Sequence, residues 1–98
     1  MKAEQIKELF AQFEATASEY EGIECWSARE LQYLLGYSKW ENFQKVIDKA
    51  KESCKNAGEQ ISDHLPDVRK MVPIGSGAEK EIDDILLSRY ACYLIAQN

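Results

Sequence analysis

The stretch WSARELQYLLGYSKWENF, residues 26–43, limits the fold more than any other part of the chain. It carries Ser-x-x-Glu twice, at Ser27–Glu30 and Ser38–Glu41, each time ahead of an apolar periodic run. In such a box the serine hydroxyl accepts from the third helical amide, and the glutamate returns a bond to the serine's own amide. Two donors that a helix start would otherwise leave orphaned are thereby satisfied. Trp26 and Leu31 stand at the two staple positions that set the entry angle of the first helix. Leu31, Leu34 and Leu35 form its buried stripe, and Gly36 supplies a left-handed terminator. The second box starts a helix with Trp40, Phe43, Val46, Ile47, Ala50 and Cys54 on one stripe, ending at Asn56 to Gly58. Two helices so closely linked fit either a helix-turn-helix that reads DNA or a well-capped helical core.

The flanks are read the same way. In residues 3–20, Ile6, Leu9, Phe10, Phe13, Ala17 and Tyr20 recur at three- and four-residue spacing, which predicts a helix ended by Gly22. Ile23 to Trp26 reads as an extended link, and Gly58 to Pro66 as a polar connector. Val68 to Ile74 mixes β-branched and basic residues and reads as a strand, with Pro73 placing it at an edge or end. Gly75-Ser76-Gly77 is a turn. Residues 79–97 fit one helix, or a return strand over 79–86 and then a helix capped by Ser88. The glycine turn and the capping preference of serine favour hairpin then helix. The fold expected is α+β: three N-terminal helices, a two-stranded β-hairpin and a C-terminal helix, in a helix-turn-helix or winged-like arrangement.

Ninety-eight residues make one domain, 1–98, and 45% apolar residues supply a core. The formal charge is −5, which opposes binding driven by phosphate neutralisation alone. The charge is uneven. Residues 1–24 hold six acids and two lysines, residues 25–74 eight bases and seven acids, and residues 75–98 four acids and two bases. A nucleic-acid surface is therefore expected in the middle segment. The charged N-terminus lacks a signal-peptide core, and no apolar run approaches membrane-spanning length, so no membrane partner is expected. Cys25, Cys54 and Cys92 stand far apart, which reads as free thiols of a cytoplasmic protein. With one histidine, His64, and no paired cysteines, neither a metal nor a cofactor is expected.

Each candidate site has a plainer reading beside it. In a helix-turn-helix the second helix would present Ser38, Lys39, Asn42 and Lys45 to the major groove, with Asn42 apt for adenine. Yet Glu41 with Lys45, and Asp48 with Lys51, suit ordinary surface pairs on a mixed face. Arg69 and Lys70 before the turn, and Lys80 after it, would make a basic wing, but Glu79, Glu81, Asp83 and Asp84 crowd the same element. Trp26, Tyr33, Tyr37, Trp40 and Phe43 could stack bases. Most lie on core stripes, and Tyr37 is the best placed for exposure. Cys54 and His64 as nucleophile and base lack an orienting third group, so no enzyme activity is expected. The N-terminal acids suit a solvated face or a basic partner.

The runs ARELQYLLGY and LSRYACYLIAQN, with VRKMVPIGSGAEKEIDDIL between them, resemble the bacterial DNA-damage-inducible D family. More distantly they are similar to the N-terminal domain of the BRO family, shared with phage antirepressors. That wider family usually begins with a β-hairpin, where residues 3–20 here read as helix. The resemblance implies an N-terminal domain of a longer cytoplasmic protein made in the SOS response. It implies a link to DNA binding and to control of the recombinase filament, and no catalytic motif. The function expected is a noncatalytic interaction domain of the DNA-damage response with a protein partner such as that filament, self-association through the apolar C-terminal helix being open to it. The alternative is a sequence-tolerant DNA-binding domain using Lys39, Asn42, Lys45, Arg69 and Lys70.

Overall fold

The computed structural model describes residues 3–97. Among the described residues nine elements follow one another: α1 (Ala3–Ala15), β1 (Ser18–Tyr20), β2 (Ile23–Ser27), α2 (Ala28–Leu34), α3 (Trp40–Asn56), α4 (Ile61–His64), β3 (Asp67–Gly75), β4 (Ala78–Leu87) and α5 (Arg89–Ala96). The four strands form one antiparallel sheet in the order β1-β2-β4-β3.

This overturns the expected layout of three helices, hairpin and closing helix. The first helix stops at Ala15, and residues 18–27 form a hairpin whose first strand, residues 18–20, the helical reading had absorbed, while its second strand falls on the stretch read as an extended link. Gly22 does not end a helix. Glu21 (φ 52°) and Gly22 (φ 80°) are the two central residues of a turn that pairs Tyr20 with Ile23. Positive φ at both positions matches the twist of a tight hairpin and needs a residue without Cβ at one of them. The side chain of Ile6, assigned to the first stripe, lies outside the described residues.

The second hairpin follows the sequence closely. β3 and β4 pair from Asp67↔Ile85 to Gly75↔Ala78, with an irregularity between Pro73 and Gly75. Proline donates no ladder bond, and β3 is indeed an edge strand. The two hairpins are joined by only two residue pairs, Trp26↔Leu87 and Ser27↔Leu86. Most of the β3–β4 ribbon therefore runs free of β2, and α2 lies against its base instead.

The α3 stripe lies in the core, whereas of the expected α2 stripe only Leu31 is buried and Leu35 is exposed. Phe43, Ile47, Ala50 and Cys54 of α3 are fully enclosed against Ala91, Cys92 and Ile95 of α5, with Trp26, Leu31, Leu65 and Leu87 completing the cluster. Full burial of one such large side chain stabilises by about 1.5–3 kcal/mol. Gly36 (φ 81°) ends α2: the Gly36 amide donates to the Tyr33 carbonyl and the Tyr37 amide to that of Gln32. That crossed pair satisfies two carbonyls the helix end leaves open. The second box fails. The N-cap of α3 is Lys39, not Ser38, and no side chain caps it. Among the described residues, no helix is long and apolar enough to cross a membrane.

Candidate functional site

Ser27 caps α2, its hydroxyl accepting from the Glu30 amide at 3.4 Å. The same hydroxyl donates to Asp84 Oδ2 at 2.5 Å and accepts from Lys70 Nζ at 3.3 Å. Asp84 is 1% exposed. Besides Ser27 it accepts from the amides of Arg29 (3.1 Å) and Ile85 (2.8 Å), and Lys70 Nζ stands 3.0 Å from its Oδ2. A buried carboxylate needs such saturation, because an unpaired one would cost several kcal/mol. Asp84 thereby joins β4, β3 and the amide-rich start of α2. In the sequence Asp84 is one of four acids that crowd the hairpin, and nothing local marks it as the buried one.

Lys70 is spent on this joint and half-buried. Arg69, its neighbour, points to the opposite face of the ribbon, as alternation requires. Arg69 is held by Glu81 at 2.9 Å and Asp83 at 3.4 Å. Arg69 and Lys70, the two bases of the expected wing that precede the turn, thus share no face and carry carboxylate partners. On the Arg69 face, Asp67, Arg69 and Asp83 look onto an open cleft of about 750 Å³ shared with Arg29, Trp40 and Gln44. Arg29 spans it: its guanidinium lies 3.9 Å from the centre of the Trp40 ring, and its Nε donates to the Asp83 carbonyl.

Lys39, Asn42 and Lys45 are exposed along α3. At helical spacing Lys45 stands one turn from Glu41 and from Asp48, and Lys49 one turn from Glu52, so the exposed face of α3 is mixed in charge. The expected Glu41–Lys45 and Asp48–Lys51 pairs do not form: Lys51 reaches Asp67 at 3.8 Å instead. Among the described residues, no carboxylate lies within ion-pair distance of Lys39, Lys45 or Lys49. Tyr37 packs on Phe43, ring centres 5.0 Å apart, and of the five aromatics considered for base stacking it is Tyr33 that is exposed.

An apolar groove of about 240 Å³ lies between α1, α2 and α5. Phe10 (60% exposed), Leu35 and Tyr93 (53%) open on it, and Leu9, Leu34 and Ala96 complete its walls. Large apolar side chains gathered in the open mark a contact surface more often than singly scattered ones do. At its end, Phe13 stacks on Trp26 with ring centres 4.4 Å apart and planes 9° from parallel. Trp26 Nε1 donates to the Phe13 carbonyl at 2.8 Å. Arg89 makes two bonds to Glu14, at 2.8 and 3.1 Å, and two to Glu24, at 3.0 Å each, with its guanidinium 5.0 Å from the Trp26 ring centre. The Arg89 hydrogen bonds hold the Glu14 carboxyl below its usual range. Sequence reading had missed this groove: α1 and α5 were both seen as apolar, but not that they meet.

The imagined Cys54–His64 pair is absent. Cys54 is wholly enclosed and burial pushes its thiol up, while His64 Nδ1 lies 2.8 Å from Ser88 Oγ, the cap of α5. Burial raises the Cys25 thiol and pushes that of Cys92 up to about 12. Among the described residues, no cluster of three His, Cys, Asp or Glu could hold a metal ion.

The profile described as BRO family, N-terminal domain, matches residues 16–98. Over 77 residues, 79% of this chain, the sequence is 53% identical to DNA damage-inducible protein D of Escherichia coli (strain K12). The matched part spans 28% of that relative's length. No solved structure matches the chain significantly.

Proposed function

The chain belongs to the BRO family, N-terminal domain, and from that membership we propose that it is a noncatalytic binding domain of the DNA-damage response, engaging a protein partner through the groove between α1, α2 and α5. The observation that carries this is the open apolar lining of that groove, Phe10, Leu35 and Tyr93 above all. A surface of this kind gains by excluding water from apolar area, and aromatic residues are the favoured anchors of interfaces. The damage-inducible relative supports the setting. The partner proposed is the recombinase filament on single-stranded DNA.

A second reading has its own observation. Lys39, at the start of α3, and Lys45 and Lys49 along it are exposed and, among the described residues, have no carboxylate within ion-pair distance, which leaves their ammonium groups open to phosphate. On this reading Arg69 and Lys70 contribute little, since both are already paired.

The test is fluorescence anisotropy of the labelled domain with recombinase filament, naked single-stranded DNA and duplex, between about 50 and 200 mM salt, where phosphate-driven binding falls steeply. The first reading expects filament binding that Leu35→Glu abolishes, with little affinity for naked DNA. Saturable binding to naked DNA, with a salt slope lowered by about one in Lys45→Glu, would move the function to the second reading. Failure to bind the filament at any salt overturns the first.

A further inference from the structure

The groove has an occupant on one side already, and that occupant fits it poorly. α1 is the element that lies before the family match, which starts at residue 16. It docks through its last turn: Phe13 on Trp26, the Trp26 indole on the Phe13 carbonyl, and Glu14 on Arg89. One turn earlier the contact opens. Phe10 is 60% exposed, and apolar space of about 240 Å³ stays between α1 and the α2–α5 face. Packed interiors leave few gaps of that size, since each forfeits dispersion contacts on both walls. Glu14 also stands in the last turn of α1, where the helix dipole disfavours an anion. Only the Arg89 fork offsets that. Arg89 loses little by releasing it, because Glu24 remains on its other side.

We propose that α1 is an exchangeable cover on the α2–α5 face, and that this face takes from a partner protein an amphipathic helix bearing apolar residues three and four positions apart, followed by a carboxylate that answers Arg89. The chemistry of the occupant is read from α1 itself. Leu9, Phe10 and Phe13 supply the helical spacing that a helix-in-groove contact uses, and Glu14 supplies the anion for a planar, bidentate partner. A better-fitting helix would fill the space Phe10 leaves open and take over the Trp26 face. The proposal rests on the groove reading above and changes it in one respect: the partner's docking face is the α2–α5 wall, with Leu35 and Tyr93, and Phe10 belongs to the cover. The cover lowers the apparent affinity of any partner by the fraction of molecules in which the face is free.

The probe is a fluorescein-labelled peptide with the sequence of residues 3–15, AEQIKELFAQFEA, titrated against the full chain. Glu14→Lys in the chain breaks the fork and sets a second cation beside Arg89, so α1 leaves its seat. In a Trp40→Phe background the Trp26 emission then shifts to the red. The peptide binds this variant at least about tenfold more tightly than the parent, a difference of about 1.4 kcal/mol. A peptide with lysine in place of its second-last residue, the counterpart of Glu14, loses that gain. If far-UV circular dichroism shows that Glu14→Lys has lost the fold, Phe13→Ala replaces it, with the same expectations. A folded variant with red-shifted Trp26 and no peptide binding overturns the proposal, as does unchanged emission with parent-like binding. The two readings fail separately. Filament binding lost in Leu35→Glu but unaltered in Glu14→Lys sinks the cover and keeps the groove; peptide exchange without filament binding does the reverse.

Discussion

Asp84→Asn is the substitution by which the joint between ribbon and helix stands or falls. The change keeps the size of the side chain and removes its charge. Asp84 is 1% exposed and meets a hydroxyl, two amides and an ammonium group. The amide keeps one acceptor oxygen and turns its NH2 towards groups that are mostly donors. Lys70, about a third exposed, loses its counter-ion. Breaking a fully buried pair costs about 3–5 kcal/mol, and partial solvation of Lys70 sets the loss near the lower end, about 3 kcal/mol. With an unfolding entropy of about 2.1 cal/mol/K per residue, that lowers the melting temperature by roughly 15 °C. Urea unfolding followed by circular dichroism measures the loss directly. The control is Asp83→Asn, at an exposed position beside it, expected within about 0.5 kcal/mol of the parent. A loss below about 1 kcal/mol for Asp84→Asn would refute the view that this carboxylate fastens β3 and β4 to the start of α2.

Three further outcomes are expected. Glu14 titrates below its ordinary value because Arg89 bonds its charged form, so the fork's contribution is fully present above the unfolded value near 4.5 and fades as pH falls through the lower folded value; Trp26 fluorescence in the Trp40→Phe background should redden reversibly on acidification, and a flat trace down to the onset of global unfolding would contradict this. The three free thiols are buried, and burial raises each, so the native chain at neutral pH should react with a thiol reagent far more slowly than the unfolded chain, and fast native labelling would show that the core opens. Gly22→Ala places a Cβ at φ 80° in the first hairpin turn and should cost about 1 kcal/mol in denaturant unfolding, whereas a neutral result would mean that the turn adopts another geometry.

Much of the chain was legible in residues that act locally. A capping serine needs only the amide three residues on, and Ser27 and Ser88 were both read correctly as caps. A glycine terminator needs only its own φ, and Gly36 follows its reading. The buried stripe of α3 needed only helical period, because its burial in the core repeats every turn. The second hairpin was legible from its turn and its strand composition, down to Pro73 on an edge strand.

What failed were statements that depend on distant partners. Residues 17–20 fit a helical stripe as well as a short strand, and only pairing with residues 23–25 decides for the strand. Ser38 has capping chemistry, yet α3 begins two residues later with Lys39 at its cap. Arg69 and Lys70 are adjacent in sequence, and the pleat sends them to opposite faces and different acids. Asp84 looks no different from Asp83 until β4 pairs with β3 and α2 lies against it. The groove belongs to the same class, since α1 and α5 are separated by most of the chain. Sequence by itself determined the elements whose hydrogen bonds and periodicity close within a few residues. Tertiary structure alone decided which charges are spent, which carboxylate is buried and which apolar face stays open, because each depends on atoms that only folding brings within reach.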